Sequence, residues 1–137
     1  METVHQPTPA LLETSISHLH QESKNWVQEI ELWRNEFSFF QKLLESIAPK
    51  AHAVEDKKQI DHFQHLITYF QGELLDQFAH DVRLHENYLQ KLGREDSSFQ
   101  DQPYREQHQK QKEQLAAFAL DYRQYRQELF QFAEQYL

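Results

Sequence analysis

The chain has 137 residues, no cysteine and a formal net charge of −8. These facts exclude disulfides, thiolate metal sites and cysteine nucleophiles, and they argue against nucleic-acid or anionic-membrane partners, which bind through Lys/Arg patches. Two glycines, four prolines and 13% aromatic residues suit a single domain of long helices with few turns.

Met1 to Pro7 reads as a short tail; the expected division is residues 1–8 as a flexible segment and 9–137 as one helical-bundle domain. Thr8 before Pro9 fits an N-cap and first helical position, because the hydroxyl accepts an orphan amide and proline has no amide to leave unpaired. From there Leu12, Ile16, Leu19, Ser23, Trp26, Ile30, Trp33, Phe37, Phe40, Leu44 and Ile47 recur at alternating spacings of four and three, which defines one buried helical stripe. The first helix is expected over about 9–48, ending where Pro49 disfavours helical geometry in the residue before it.

The second helix is expected over about 53–92. Its stripe runs Ile60, Phe63, Ile67, Phe70 and Leu74, then steps by four through Phe78 and Val82 before His85, Leu89 and Leu92. Such a step is a stutter that unwinds a supercoil locally. Gly72 precedes it and either permits close packing by a neighbour or marks a soft point. Gly93 is the natural cap, and the polar run Arg94 to Gln102 is a loop. The third helix, about 102–136, carries Tyr104, His108, Gln111, Leu115, Phe118, Tyr122, Tyr125, Leu129, Phe132 and Tyr136 on one stripe. Short links between similar helices predict an all-α fold, an elongated antiparallel up-down-up three-helix bundle with coiled-coil-like packing. The aromatic stripe reads as core rather than as a flat-ligand pocket, so Trp33 should be buried.

No glycine-rich phosphate loop, Gly-x-Ser-x-Gly elbow or His-Glu-x-x-His motif is present, and no Ser, Thr or Lys stands where a histidine would activate it. Counting register back from the connections brings His85 and His108 into adjacent core layers, flanked by His20 and Glu22 on the first helix and Glu86 on the second. Histidine with carboxylates is what a bundle uses to hold iron, zinc or manganese, so these five residues form a candidate metal set. The alternative is that His85 and His108 are hydrogen-bonded core residues that fix register. A buried, neutral His85 would titrate below the free value of about 6.5.

Leu32, Phe39 and Leu43 lie off the main stripe of the first helix. They predict an apolar flank available to a second copy or another protein partner, unless the frame is rotated and they belong to the core. A homodimer is the expected form. No uninterrupted apolar run reaches the roughly 18 residues of a membrane span, and Met1 to Pro9 lacks the features of a signal peptide, so the expected location is the cytoplasm, with no membrane or nucleic-acid partner.

Trp26 to Leu44 (WVQEIELWRNEFSFFQKLL) and Ile60 to Glu86, with DHFQ from Asp61 and HDVRLHE from His80, resemble a group of small bacterial all-helical proteins with no established function. The resemblance implies a polar set of Glu36, His62, His80, His85 and Glu86, and no activity. Two functions follow as expectations. One is a non-enzymatic helical-bundle protein acting through protein–protein interaction or self-association, without a cofactor. The other is a His/carboxylate metal-binding bundle with redox or hydrolytic chemistry.

Overall fold

The computed structural model describes the backbone of residues 9–94 and 101–137 and the side chains of residues 16–91 and 102–137. The expected 1–8 tail, the Thr8 cap and the centre of the 94–102 loop lie outside the described residues. Every element is helical: α1 Pro9–Ile47, a 3-10 turn Ala48–Lys50, α2 Val54–Tyr69, a π-helical segment Phe70–Leu75, α3 Asp76–Arg94 and α4 Asp101–Glu134. No described residue is in a strand. Right-handed helical backbone at both Tyr69 and Asp76 makes α2, the π segment and α3 one uninterrupted arm, so three helical arms make up the fold. At ~1.5 Å per residue, the 39 residues of α1 span about 58 Å.

The first turn falls where the sequence places it. α1 gives way at Ile47 to a 3-10 turn holding Pro49, and Ala51 is extended. α2 then starts from an extended Ala53 with no side-chain cap. Glu55 and Asp56 in its first turn oppose the exposed amide dipoles instead. At the other end α3 runs through Gly93 to Arg94. Gly93 is therefore helical, not the residue past the helix that a capping role requires, and the residues after Arg94 lie outside the described ones.

The middle arm departs from the expected stripe at one place. Phe70 and Leu75, five residues apart, are both buried, whereas Leu74 is only partly so. An ordinary helix turns 500° over five residues and would point the two apart; the wider π turn brings both inward. What reads in the sequence as a four-residue stutter through Leu74 is thus an inserted residue that moves the stripe to Leu75. Gly72 lies in this segment, exposed, and a Cβ built on it meets nothing within 4 Å. Close packing is therefore not its reason. The segment is held to α1 by Gln71, whose Nε2 donates to the Arg34 carbonyl and to Ser38 Oγ, each at 3.3 Å.

The three stripes meet in one core centred on Phe37, which has no exposed surface. Its ring contacts those of Phe40, Phe70, Phe118, Tyr122 and Tyr125 at centroid distances of 5.5–6.4 Å. Trp33 is buried at 5% exposure and sits edge-on to Phe118 at 4.8 Å. From α1 and the turn that follows it to α4 and the turn that ends it, the polar pairs Glu22 with His108, Glu36 with Tyr122, and Lys50 with the Tyr136 carbonyl share one sequence offset, 86. Between α1 and the middle arm, numbers fall on one side as they rise on the other: Ser38 meets Gln71, Arg34 meets Asp76, and His20 meets Glu86.

Candidate functional site

Towards the N-terminal part of α1 the apolar core gives way to polar residues. Ser23, His85, His108 and Gln111 occupy stripe positions and are buried at 0%, 4%, 2% and 3% exposure. Because these residues replace apolar ones on the core-facing stripes, hydrogen bonds offset their burial, although Gln111 Oε1 is buried without a hydrogen-bond partner among the described residues.

His85 Nε2 lies 3.1 Å from His108 Nδ1, and His108 Nε2 lies 2.9 Å from Glu22 Oε1. An ionised carboxylate only accepts, so His108 Nε2 carries a proton and donates to Glu22. His108 Nδ1 is then left as the acceptor for His85 Nε2–H. The result is a directed line from His85 through His108 to Glu22. Lys112 Nζ stands 3.4 Å from the second Glu22 oxygen. Burial raises the Glu22 pKa, but the hydrogen bonds and charges of His108 and Lys112 outweigh it and hold the carboxyl below its ordinary value. Burial, then the charge of His108, pushes His85 down to about 4. Burial also lowers His108, against the raising effect of Glu22.

Aromatic rings wall the line. Trp26 stacks on His108 at 4.5 Å, and Tyr104 lies almost flat on His85 at 4.3 Å with an interplanar angle of 10°. The Tyr104 pKa is pushed up to about 12 by burial and by the Glu86 charge, while its hydroxyl faces the Ser23 side chain. Ser23 Oγ itself donates to the Leu19 carbonyl at 3.2 Å, and Gln111 Nε2 donates to the Asp81 carbonyl at 3.2 Å. A groove of about 390 Å³ lined by Asp81, Leu84, His85, Tyr88, Pro103 and Gln107 opens beside the outer end of the line.

The structure thus brings His20, Glu22, His85, Glu86 and His108 to one end of the fold, but as two pairings. Glu22 reaches α4, whereas His20 turns to the other flank of α1, where its Nδ1 is 2.8 Å from Glu86 Oε2 on α3. Among the described residues no group of three or more His, Asp or Glu is arranged to hold a metal ion. Both His108 nitrogens are already committed, so a metal there would displace a hydrogen bond. Lys112 and Tyr104 also belong to the site and were not singled out from the sequence. The available signals were the four-residue spacing of Lys112 from His108 and the position of Tyr104 one turn before it on the same stripe.

The other polar residues lie elsewhere. Glu36 accepts a hydrogen bond from Tyr122 in mid-bundle. His62 is exposed beside Phe63, and His80 is exposed on α3. On the outer flank of α1, Leu32 and Phe39 are 55% and 57% exposed. Leu43 differs from the expectation: it is partly buried and packs against the core. No helix among the described residues is long and apolar enough to cross a membrane. No protein-family profile, curated protein or solved structure matches the chain.

Proposed function

We propose that the protein is a non-enzymatic interaction module, an up-down-up antiparallel three-helix bundle with coiled-coil-like packing that works by self-association or by holding another protein on the outer flank of α1. The observation that carries this reading is the pair Leu32 and Phe39, seven residues apart on one face and both more than half exposed. Large apolar side chains aligned along a helix face gain free energy when a second surface removes them from water. The constant offset of 86 between the first and third arms with their end turns, and the opposite order between α1 and the middle arm, support the topology. The buried polar layer fits a role in fixing helix register, as single polar core residues do in coiled coils. Sedimentation velocity on the chain and on a Leu32→Glu, Phe39→Glu variant tests the reading. A mass above the monomer that falls with the substitutions is expected; a monomer that also captures no protein through this flank would overturn it.

A second reading, a bundle binding iron, zinc or manganese, is favoured by the gathering of His20, Glu22, His85, Glu86 and His108 at one end of the fold. Elemental analysis of protein purified without an affinity tag decides it. Stoichiometric metal lost on His85→Ala or His108→Ala would support this reading, and metal-free protein would remove it.

A further inference from the structure

The line from His85 through His108 to Glu22 leaves one ring nitrogen over. With Nε2–H donating to His108, a neutral His85 carries a bare lone pair on Nδ1. That atom has no hydrogen-bond partner among the described residues, yet it is not sealed from solvent. The ring is otherwise buried, at 4% exposure, and the groove of about 390 Å³ is where it reaches the surface. Hydrogen bonds in a chain polarise one another. Because this chain ends on the Glu22 carboxylate, it pushes electron density outward and makes Nδ1 a stronger acceptor than the nitrogen of a lone imidazole.

We propose that the groove is a binding site for a small protonated amine with an apolar body, whose ammonium donates to His85 Nδ1 and to the Asp81 carboxylate. Asp81, Leu84, His85 and Tyr88 fall within about 100° of the α3 surface at 3.6 residues per turn, and Pro103 and Gln107 of α4 close the other side. Charge decides the class of ligand. Asp81 brings a carboxylate with no ion-pair partner among the described residues. One of its oxygens accepts from Gln77 Nε2 at 2.9 Å, and the other is left over. No described Lys or Arg lines the groove, and the whole chain carries a net charge of −8. An anionic ligand would therefore face two acceptors and no cation, whereas an ammonium has a donor for each acceptor. Leu84 and Tyr88 are 54% and 39% exposed, so an apolar body laid against them removes surface that the bundle leaves wet. The volume of about 390 Å³ stands at the small end of ligand pockets, which run from about 300 to 1,000 Å³, and suits one ring on a short amine. The site lies between α3 and α4 and does not depend on the α1 flank.

Phenethylamine, protonated at neutral pH, is the probe. Nitrogen NMR of the histidine rings, in buffer with EDTA to keep metal out, should first show His85 protonated on Nε2 and bare on Nδ1. Adding the probe should then shift the Nδ1 signal, the Leu84 methyls and the Tyr88 ring together and saturably, with a dissociation constant on the order of 1 mM for a ligand of this size. Phenylacetate, similar in shape and opposite in charge, should shift none of them. Asp81→Asn should weaken binding roughly two- to fivefold, as loss of a partly exposed charge pair does. Leu84→Lys, at an exposed position, sets an ammonium of the chain itself at the groove and should abolish binding. Circular dichroism on each variant checks that the helices are intact. A bare Nε2 in the free protein, no saturable shift at His85 with phenethylamine, or equal binding of phenylacetate would overturn the proposal. Unchanged affinity in the Leu84→Lys variant would do so as well, by placing the amine elsewhere on the acidic surface.

Discussion

The hydroxyl of Tyr125 on α4 donates to the main-chain carbonyl of Phe63 on α2 at 3.0 Å, inside the core. The phenol keeps its proton, because burial drives its pKa well above the ordinary value. A helical carbonyl has a second lone pair to offer, so this bond ties two helices without breaking the α2 ladder. Tyr125→Phe keeps the ring and removes only the bond. It should lower stability by about 1 kcal/mol, measured by urea unfolding at unchanged m-value.

Trp33 tests the frame of the α1 stripe. Its burial at 5% exposure against Phe118 means that Trp33→Ala leaves a large void, at a cost of roughly 3–5 kcal/mol. A loss within ~0.5 kcal/mol, the range of surface substitutions, would show that the indole is not core.

Acid should unfold the polar end first. His85 titrates at about 4 in the fold against about 6.5 in an unfolded chain. The unfolded state therefore binds a proton that the folded state refuses as pH falls from about 6.5 to 4, and stability declines across that window. Glu22, whose pKa is lowered in the fold, acts in the same direction at lower pH: its contribution is present above the ordinary carboxylate value and is lost as the carboxyl protonates. A first added proton makes one imidazole a cation and leaves the other neutral and able to accept from it, so the bond between them survives. A second sets two N–H groups against each other. NMR titration of His85 should give a value well below 6.5, and a value above 7 would reverse the assignment.

Gly72 is the site for a gain. It is exposed, with open space around the position of a Cβ, and a helical glycine is less favourable than alanine by about 1 kcal/mol. Gly72→Ala should raise stability by roughly 0.5–1 kcal/mol. A loss instead would show that the π turn needs the glycine backbone.

Most of the architecture was legible in the spacing of apolar residues, and Pro49 marked the first turn. The π segment was not, because Leu74 and Leu75 are both apolar and the spacing alone lets either follow Phe70. The turn geometry decides between them. The polar end is legible by counting register, since His85 and His108 stand at stripe positions and are buried. Its wiring was hidden for a simple reason: His20 and Glu22 are two residues apart, so the helix turn sends them to opposite neighbours. Leu43 stands at the edge where the flank becomes core, and follows the alternative in which it packs inward.

The ties from Glu22 to His108, Glu36 to Tyr122 and Lys50 to the Tyr136 carbonyl fall every fourteen residues, from α1 into the turn that follows it, at one offset. Pulling α1 and α4 past each other along their axes would load the three together, as rungs between two rails. Peeling from one end would break them singly. The protein should therefore resist lengthwise shear far better than unzipping, a directional strength that a measurement of overall stability does not report.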